Sequence, residues 1–343
     1  MRRFGIMPEA LYMGKASLLQ AIIFAFVLCL IITPFVRRLS LRARILDVPR
    51  DERRMHKSAV PLAGGAGIIA AFLLSLALFC GGARFACPLA VFCILCGAYG
   101  VIDDKLALPV WLKLAFQLAV AFAATPFLAR AEAFSFFGYT VYLGALSAPA
   151  TALWGVFMMN AVNLTDGMDG LCAGTSAVSA ACLSVLLFLR GESAYALAAA
   201  ALSGACLGFL FHNSAPAKIF MGETGSAFLG FALAFLAMPL FSADAQAPLA
   251  SVLPAFLFPL CEAASSFLRR AAKGKSPFAP DKSHMHHVMF ARGFSVPMVC
   301  AVAFTFSLLC ALCSLLYGSQ RAAALLLFSL AVLLMRLALA RKA

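Results

Sequence analysis

Uninterrupted apolar runs of roughly 18–20 residues recur along almost the whole chain, and they exclude most folds. A helix of about 20 residues crosses a hydrocarbon core of about 30 Å. The chain is 64% hydrophobic and 12% charged, against about 25% charged residues in soluble domains. Its mean hydropathy is +0.97. Period-two alternation is absent, so a transmembrane β-barrel is not indicated. The expected fold is all-α: a polytopic integral membrane helical bundle forming a single domain over residues 1–343.

About eleven spans are predicted by the 20-residue rule. They fall near 18–36, 62–80, 85–102, 110–128, 141–159, 171–190, 194–211, 226–241, 248–268, 296–317 and 321–340. The first is too long for a signal-peptide core and has no small-residue cleavage site after it, which reads as a retained span. No internal repeat is visible, which argues against an inverted-repeat transporter. The net charge of +13 comes from basic residues concentrated between spans. That is the pattern of cytoplasmic loops rather than of nucleic-acid binding. Arg37, Arg38, Arg42 and Arg44 follow the first span, and Arg269, Arg270, Lys273 and Lys275 follow the ninth. With eleven spans the N-terminus is outside and the C-terminus cytoplasmic. Of the 12 Cys, the pairs Cys93/Cys96 and Cys310/Cys313 have CxxC spacing but lie inside spans without nearby His, so packing is the expectation.

The chain has only 14 Asp+Glu, and those of chemical interest sit at span ends. A carboxylate at a membrane boundary is costly unless it binds something. Asp103-Asp104 end the third span, with Lys113 and Gln117 one helical turn apart on the fourth. Adjacent carboxylates suit a metal, or a base beside a ligand. The stretch from Asn160 to Leu171, NAVNLTDGMDGL, packs Asn160, Asn163, Asp166 and Asp169 with two Gly into one turn. Hard oxygens of this kind suit Mg²⁺. Lys218 to Ser226, KIFMGETGS, places Glu223 in a Gly-rich turn before the eighth span, the kind of turn that makes anion sites at helix starts. Asp281 to His287, DKSHMHH, gathers Asp281, His284, His286 and His287. With no Cys ligand it reads as a phosphate-binding or proton-managing loop rather than a zinc site. Counting spans puts every cluster on the cytoplasmic side, in loops 37–61, 103–113, 160–171, 212–226 and 269–295.

Taken together, Asp103-Asp104 with Lys113 and Gln117, the NAVNLTDGMDGL turn, PAKIFMGETGS and SPFAPDKSHMHHVMFARGF resemble the polyprenyl-phosphate N-acetylhexosamine-1-phosphate transferases. The HMHH loop resembles the branch using undecaprenyl phosphate and UDP-GlcNAc that starts O-antigen, enterobacterial common antigen or teichoic acid linkage units. The resemblance implies a multi-pass enzyme of the bacterial inner membrane with its active site facing the cytoplasm. It would act on a UDP-N-acetylhexosamine and undecaprenyl phosphate in the lipid bilayer, as a monomer or homodimer. Mg²⁺ is implied, with Mn²⁺ as the alternative. Asn163 and Glu223, with Asp104 near them, would hold the metal. Asp103 would deprotonate or orient the lipid phosphate, and Lys113 would pair with it. Asp166 and Asp169 would lie at the nucleotide end. His284, His286 and His287 would contact phosphates or sugar, and Lys57, Asn160, Lys218 and Asp281 would bind substrate. Gly64-Gly65, after His56 and Lys57, would cover the nucleotide.

The chain departs from the family's usual Asp at Glu223 and again at Glu262. Three other readings stay open: a phospho-MurNAc-pentapeptide transferase of peptidoglycan synthesis, a non-enzymatic lipid or nucleotide-sugar transporter, and a catalytically weakened homologue serving as a membrane scaffold. A transporter would carry its polar groups at mid-span.

Overall fold

The computed structural model describes residues 7–47, 59–136, 139–243, 249–272, 274 and 284–316. The order is α1 (Met7–Ala43), β1 (Leu46–Asp47), β2 (Val60–Pro61), α2 (Gly65–Cys80), α3 (Ala86–Leu106), α4 (Val110–Ala124), β3 (Ala133–Phe136), β4 (Tyr139–Tyr142), α5 (Ser147–Asn163), α6 (Leu171–Leu189), α7 (Ser193–Asn213), α8 (Gly222–Leu236), α9 (Leu249–Val252), α10 (Leu257–Ala272), α11 (Met285–Ala291) and α12 (Val296–Leu316). Among the described residues six helical segments are long and apolar enough to cross a membrane: Ser17–Ala43, Ala86–Leu106, Gly144–Asn163, Leu171–Leu189, Ser193–Asn213 and Gly222–Phe241. Gly65–Cys80, Val110–Ala124 and Val296–Leu312 are shorter apolar helices beside them. The architecture is a multi-pass helical membrane bundle. The expected eleventh span, 321–340, and the C-terminus lie outside the described residues.

The bundle is built from small residues inside and large apolar residues outside. On α1, Ala21, Ala25, Cys29 and Thr33 are buried at intervals of four, while Leu19, Ile23, Val27, Ile31 and Phe35 are exposed. That spacing places the two sets on different faces of one helix. The buried stripe lies on α7. With lipid as the surrounding solvent, close packing of small side chains holds helices together, and exposed Leu, Ile and Phe face lipid at no cost. Pro34 interrupts the α1 hydrogen-bond ladder, because proline has no N–H to give the carbonyl four residues earlier. The carbonyl so freed, that of Leu30, accepts His212 Nε2 of α7 at 3.0 Å.

α8 is the central helix. Every residue of it except Glu223 is buried, and it packs against α2, α3 and α5. Two backbone contacts bring it this close. A Cβ on Gly65 would lie 2.1 Å from Gly225 Cα, and one on Gly100 would lie 2.3 Å from Thr224 Cα. Only glycine allows such approaches.

The class is all-α as expected, with two short antiparallel hairpins beside the helices, β1 with β2 and β3 with β4. Three span boundaries differ from expectation. Residues 133–142 are rich in Phe, Tyr, Thr and Val, which favour an extended strand, so the fifth helix begins at Ser147 rather than near 141. The ninth span, expected unbroken over 248–268, is divided into α9, a 3₁₀ turn at Leu253–Phe256, and α10. Pro254 at the start of that turn supplies no N–H for a continuous helix. α10 is also polar inward, with Glu262, Ser265, Ser266 and Arg269 buried while Phe267 and Leu268 are exposed. Finally, α8 begins at Gly222, four residues before the expected start, so GETG is the first turn of the helix.

The Gly100 contact makes a direct test. Gly100→Ala should lower the thermal unfolding midpoint in detergent, at a cost of about 1–3 kcal/mol or more from overpacking. Gly82→Ala, whose Cβ meets nothing within 4 Å, should leave the midpoint unchanged.

Candidate active site

The polar ends of seven helices meet at one end of the bundle. α3 ends there with Asp103 and Asp104, α5 with Asn160 and Asn163, and α7 with His212 and Asn213. α4, α6, α8 and α11 begin there. The loops predicted for one membrane face are therefore neighbours in space.

Asp104 organises the centre. Its carboxylate accepts the backbone N–H of Glu223 (2.8 Å) and of Thr224 (3.2 Å) and the Thr224 hydroxyl (2.6 Å). The first N–H groups of a helix have no intrahelical acceptor and carry its positive dipole end. The anion expected at the GETG turn is thus the protein's own carboxylate. Gly222 makes room for it, since a Cβ there would stand 2.4 Å from Asp104 Oδ2 and φ is +71°. Asp104 lies near the metal ligands implied by the resemblance, and both of its oxygens already bind α8.

Asp103 is buried. Its Oδ1 accepts the Leu108 N–H at 2.8 Å and its Oδ2 accepts Lys113 Nζ at 2.5 Å. The ammonium of Lys113 also stands 3.9 Å from Glu223 Oε2. Glu223 in turn accepts Asn163 Nδ2 at 2.7 Å, and Asn163 Nδ2 also reaches Ser226 Oγ at 3.0 Å. Asn160 is turned away from this group: its amide donates to Gln117 Oε1 and to the Val156 carbonyl, both at 2.7 Å. Asn160 therefore ties α5 to α4.

The 163–171 turn carries the remaining acids. Asp166 is half-buried. Desolvation pushes its carboxyl well above the ordinary carboxylate range, and the Asp104 and Glu223 carboxylates push the same way, against a backbone hydrogen bond from Gly222. Asp169 Oδ2 accepts the Ala217 N–H at 2.9 Å. Asn213, which the motif reading passed over, accepts the Gly170 N–H and donates to the Ile219 carbonyl, both at 3.0 Å. The turn is thus fastened to the 214–221 loop on both sides. Lys218 is exposed, and its carbonyl accepts Arg37 Nε at 3.0 Å.

The histidines come to the same place. His286 is buried, and a Cβ on Gly167 would meet its Nε2 at 2.4 Å. The rings of His284 and His286 are parallel within 7° with centroids 5.5 Å apart, and His287 follows at 4.3 Å from His286. His284 Nδ1 lies 3.2 Å from Glu262 Oε2.

Gly64-Gly65 belong to the packing beside the 220–221 segment. Both are buried, and their N–H groups donate to the Phe220 and Met221 carbonyls, fixing the approach to α8 from below. Lys57, His56 and Asp281 lie outside the described residues. Cys93 and Cys96 are fully buried free thiols, as packing required. One residue absent from the motif reading is Tyr99, one turn before Asp103 on α3. Its ring stacks on Phe116 at 4.2 Å, and its buried hydroxyl has no hydrogen-bond partner among the described residues. The i, i+4 spacing from Asp103 was the available signal.

A family model described as "Glycosyl transferase family 4" matches residues 86–240. A Bacillus subtilis (strain 168) protein named "Probable undecaprenyl-phosphate N-acetylglucosaminyl 1-phosphate transferase" is 32% identical over 299 residues, covering 84% of this chain and 82% of its own. The chain belongs to glycosyl transferase family 4. The Escherichia coli (strain K12) "Undecaprenyl-phosphate alpha-N-acetylglucosaminyl 1-phosphate transferase" is 27% identical, over 76% of this chain and 73% of its own. The Mycobacterium tuberculosis (strain H37Rv) "Decaprenyl-phosphate N-acetylglucosaminephosphotransferase" is 31% identical, over 83% and 79%. Family 4 membership and the N-acetylglucosaminyl branch agree with the resemblance carried by the four motifs.

The Asp104 contacts predict a graded loss in this family 4 protein. Asp104→Ala should destabilise by about 1–3 kcal/mol, because two helix N–H groups and a hydroxyl lose their acceptor. Asp104→Asn keeps one acceptor oxygen and should lose less than half as much. Thermal unfolding in detergent reads both.

Proposed function

We propose that the protein transfers N-acetylglucosamine-1-phosphate from UDP-GlcNAc to undecaprenyl phosphate in a bacterial inner membrane, with the site facing the cytoplasm. A phosphate oxygen of the lipid attacks the β-phosphorus of UDP-GlcNAc. The new phosphorus–oxygen bond forms as the bond to the bridging oxygen breaks, and UMP leaves. The carrying observation is a cluster of acids at the polar end of an apolar bundle: Asp103 and Glu223 flank the Lys113 ammonium, and Asp104 and Asp166 lie beside Glu223. A transporter reading would place such groups at mid-span. The basic residues support the orientation. Arg37 reaches Lys218 and Arg269 reaches Ser266 behind His284, so the Lys/Arg-rich segments flank the same end.

The cluster is short of positive charge, and that fits a divalent cation. Its donors are carboxylates and an amide, the hard oxygens that Mg²⁺ takes. Among the described residues no group of three or more His, Cys, Asp or Glu is arranged to hold a metal alone. Mg²⁺ is commonly held by one or two carboxylates plus substrate phosphates, so Glu223 with Asn163, and Asp166 beside them, are a sufficient protein share. When bound, Mg²⁺ would neutralise charge on the diphosphate. Lys113 lies at the membrane end of the cluster, where it meets a phosphate rising from lipid. Moving to that phosphate, it would release Asp103 to accept or orient the phosphate's proton. Asp169, held by Ala217, and Asp166 would face the nucleotide. The histidine stack would face the phosphates or sugar from the opposite side of the 163–171 turn.

The test is UMP release by purified protein in detergent with undecaprenyl phosphate and each UDP-HexNAc separately. UDP-GlcNAc is expected to turn over, and EDTA is expected to stop the reaction until Mg²⁺ is returned. Failure with every donor, in folded protein, would sink the reading. Glu223→Gln should lower kcat at least about a hundredfold, as loss of a charged group at a phosphoryl-transfer site does. Glu223→Asp should lose less, because it keeps the charge on a shorter arm. A rise in activity with Asp would show that Glu223 is a weakening substitution.

A further inference from the structure

Glu262 is the most deeply buried acid among the described residues, at 0% exposure, and it lies outside the acid cluster. It sits on the inward polar face of α10. Its Oε1 accepts the Met285 N–H at 3.0 Å, and its Oε2 lies 3.2 Å from His284 Nδ1. Ser266 Oγ stands at 3.2 Å from the same nitrogen and accepts Arg269 Nη2 at 3.1 Å. One carboxylate thus holds both the first turn of α11 and the ring that precedes it.

We infer that Glu262 is a positioning residue for the histidine loop. A carboxylate accepts only, so the nitrogen it contacts carries the hydrogen, and Nε2 is left as the acceptor of the His284 ring. A buried carboxylate behind an imidazole sets tautomer and ring plane together. The consequence passes outward. The His284 plane is shared with His286 within 7°, and His286 is seated on Gly167, next to Asp166. Glu262 therefore aligns the stack that faces the substrate phosphates without touching substrate itself. This inference rests on the proposed transferase reaction for its kinetic consequence, and on the geometry alone for its structural one.

The experiment is a double-mutant cycle with one spectroscopic readout. Glu262→Gln should lower kcat about tenfold to a hundredfold, the usual loss when an orienting partner is removed. KM for UDP-GlcNAc and for undecaprenyl phosphate should each stay within about twofold, and Glu262→Asp should recover part of the loss. His284→Ala should be slow, and Glu262→Gln added to it should cost nothing further. If the losses multiply, or if Glu262→Gln is fully active, Glu262 is only a helix cap and the inference falls. The second readout is ¹⁵N NMR of the five histidines in ¹⁵N-His-labelled protein without substrate. The wild type should show His284 protonated at Nδ1, and Glu262→Gln or Glu262→Asp should shift that resonance. An unmoved resonance overturns the inference. A shifted resonance in protein that turns over no donor upholds it and refutes the transferase reading instead.

Discussion

A helix that is buried on every side must find partners for its four leading N–H groups inside the protein, since lipid offers none. α8 is in that position, and the partner is the Asp104 carboxylate from the end of α3. Much of the site depends on that contact. It sets the height of α8 against α3, and the bare contacts at Gly100 and Gly65 let α8 approach closely enough to use it. Glu223 is then the one residue of α8 left out of the core, held between Lys113 and Asn163. The same carboxylate also crowds Asp166 and, added to burial, disfavours its ionised form. Stability and charge strain share one group.

Much of this was legible beforehand. Apolar length alone located the long helices, because hydrocarbon imposes a minimum crossing that loops cannot meet. Acids at span ends pointed to the site, because in a chain this apolar each one needs a reason. What escaped was decided by tertiary contact. Nothing local shows that the anion for the GETG turn comes from a residue 119 positions away. Nor does anything local show that Gly64-Gly65 are packing surfaces, because that depends on Phe220 and Met221 lying across them. Asn160 and Asn163 stand three residues apart, about 60° apart around the helix, yet one meets Gln117 and the other Glu223. The ninth span breaks at Pro254, inside a run whose apolar length alone would suit one unbroken helix.

The site is assembled from two mechanical halves. Asp103, Asp104, Asn163 and Glu223 stand on helices locked into the central packing. His286 and His287 stand on the short helix α11 and His284 caps it, and Glu262 and Gly167 are among its contacts with the rest. Long helices packed over their length give the acids a rigid frame. A helix of seven residues has no such frame of its own, so its alignment rests on tertiary contacts: Glu262 at its first turn, Gly167 under His286, and the apolar cluster that Met285 and Met289 join.

The proline in α1 has a consequence of its own. In hydrocarbon a carbonyl without a donor costs several kcal/mol, and Leu30 would be one if His212 were absent. The imidazole that fills it belongs to α7, one residue before the Asn213 that fastens the 163–171 turn. Two helices joined only by small apolar side chains could slide past each other by one helical repeat and still pack. The Leu30 carbonyl occurs once, so it works as a detent: a single notch that the other helix must find. The C-terminal end of α7, and the loop it carries into the site, inherits its depth in the membrane from that notch.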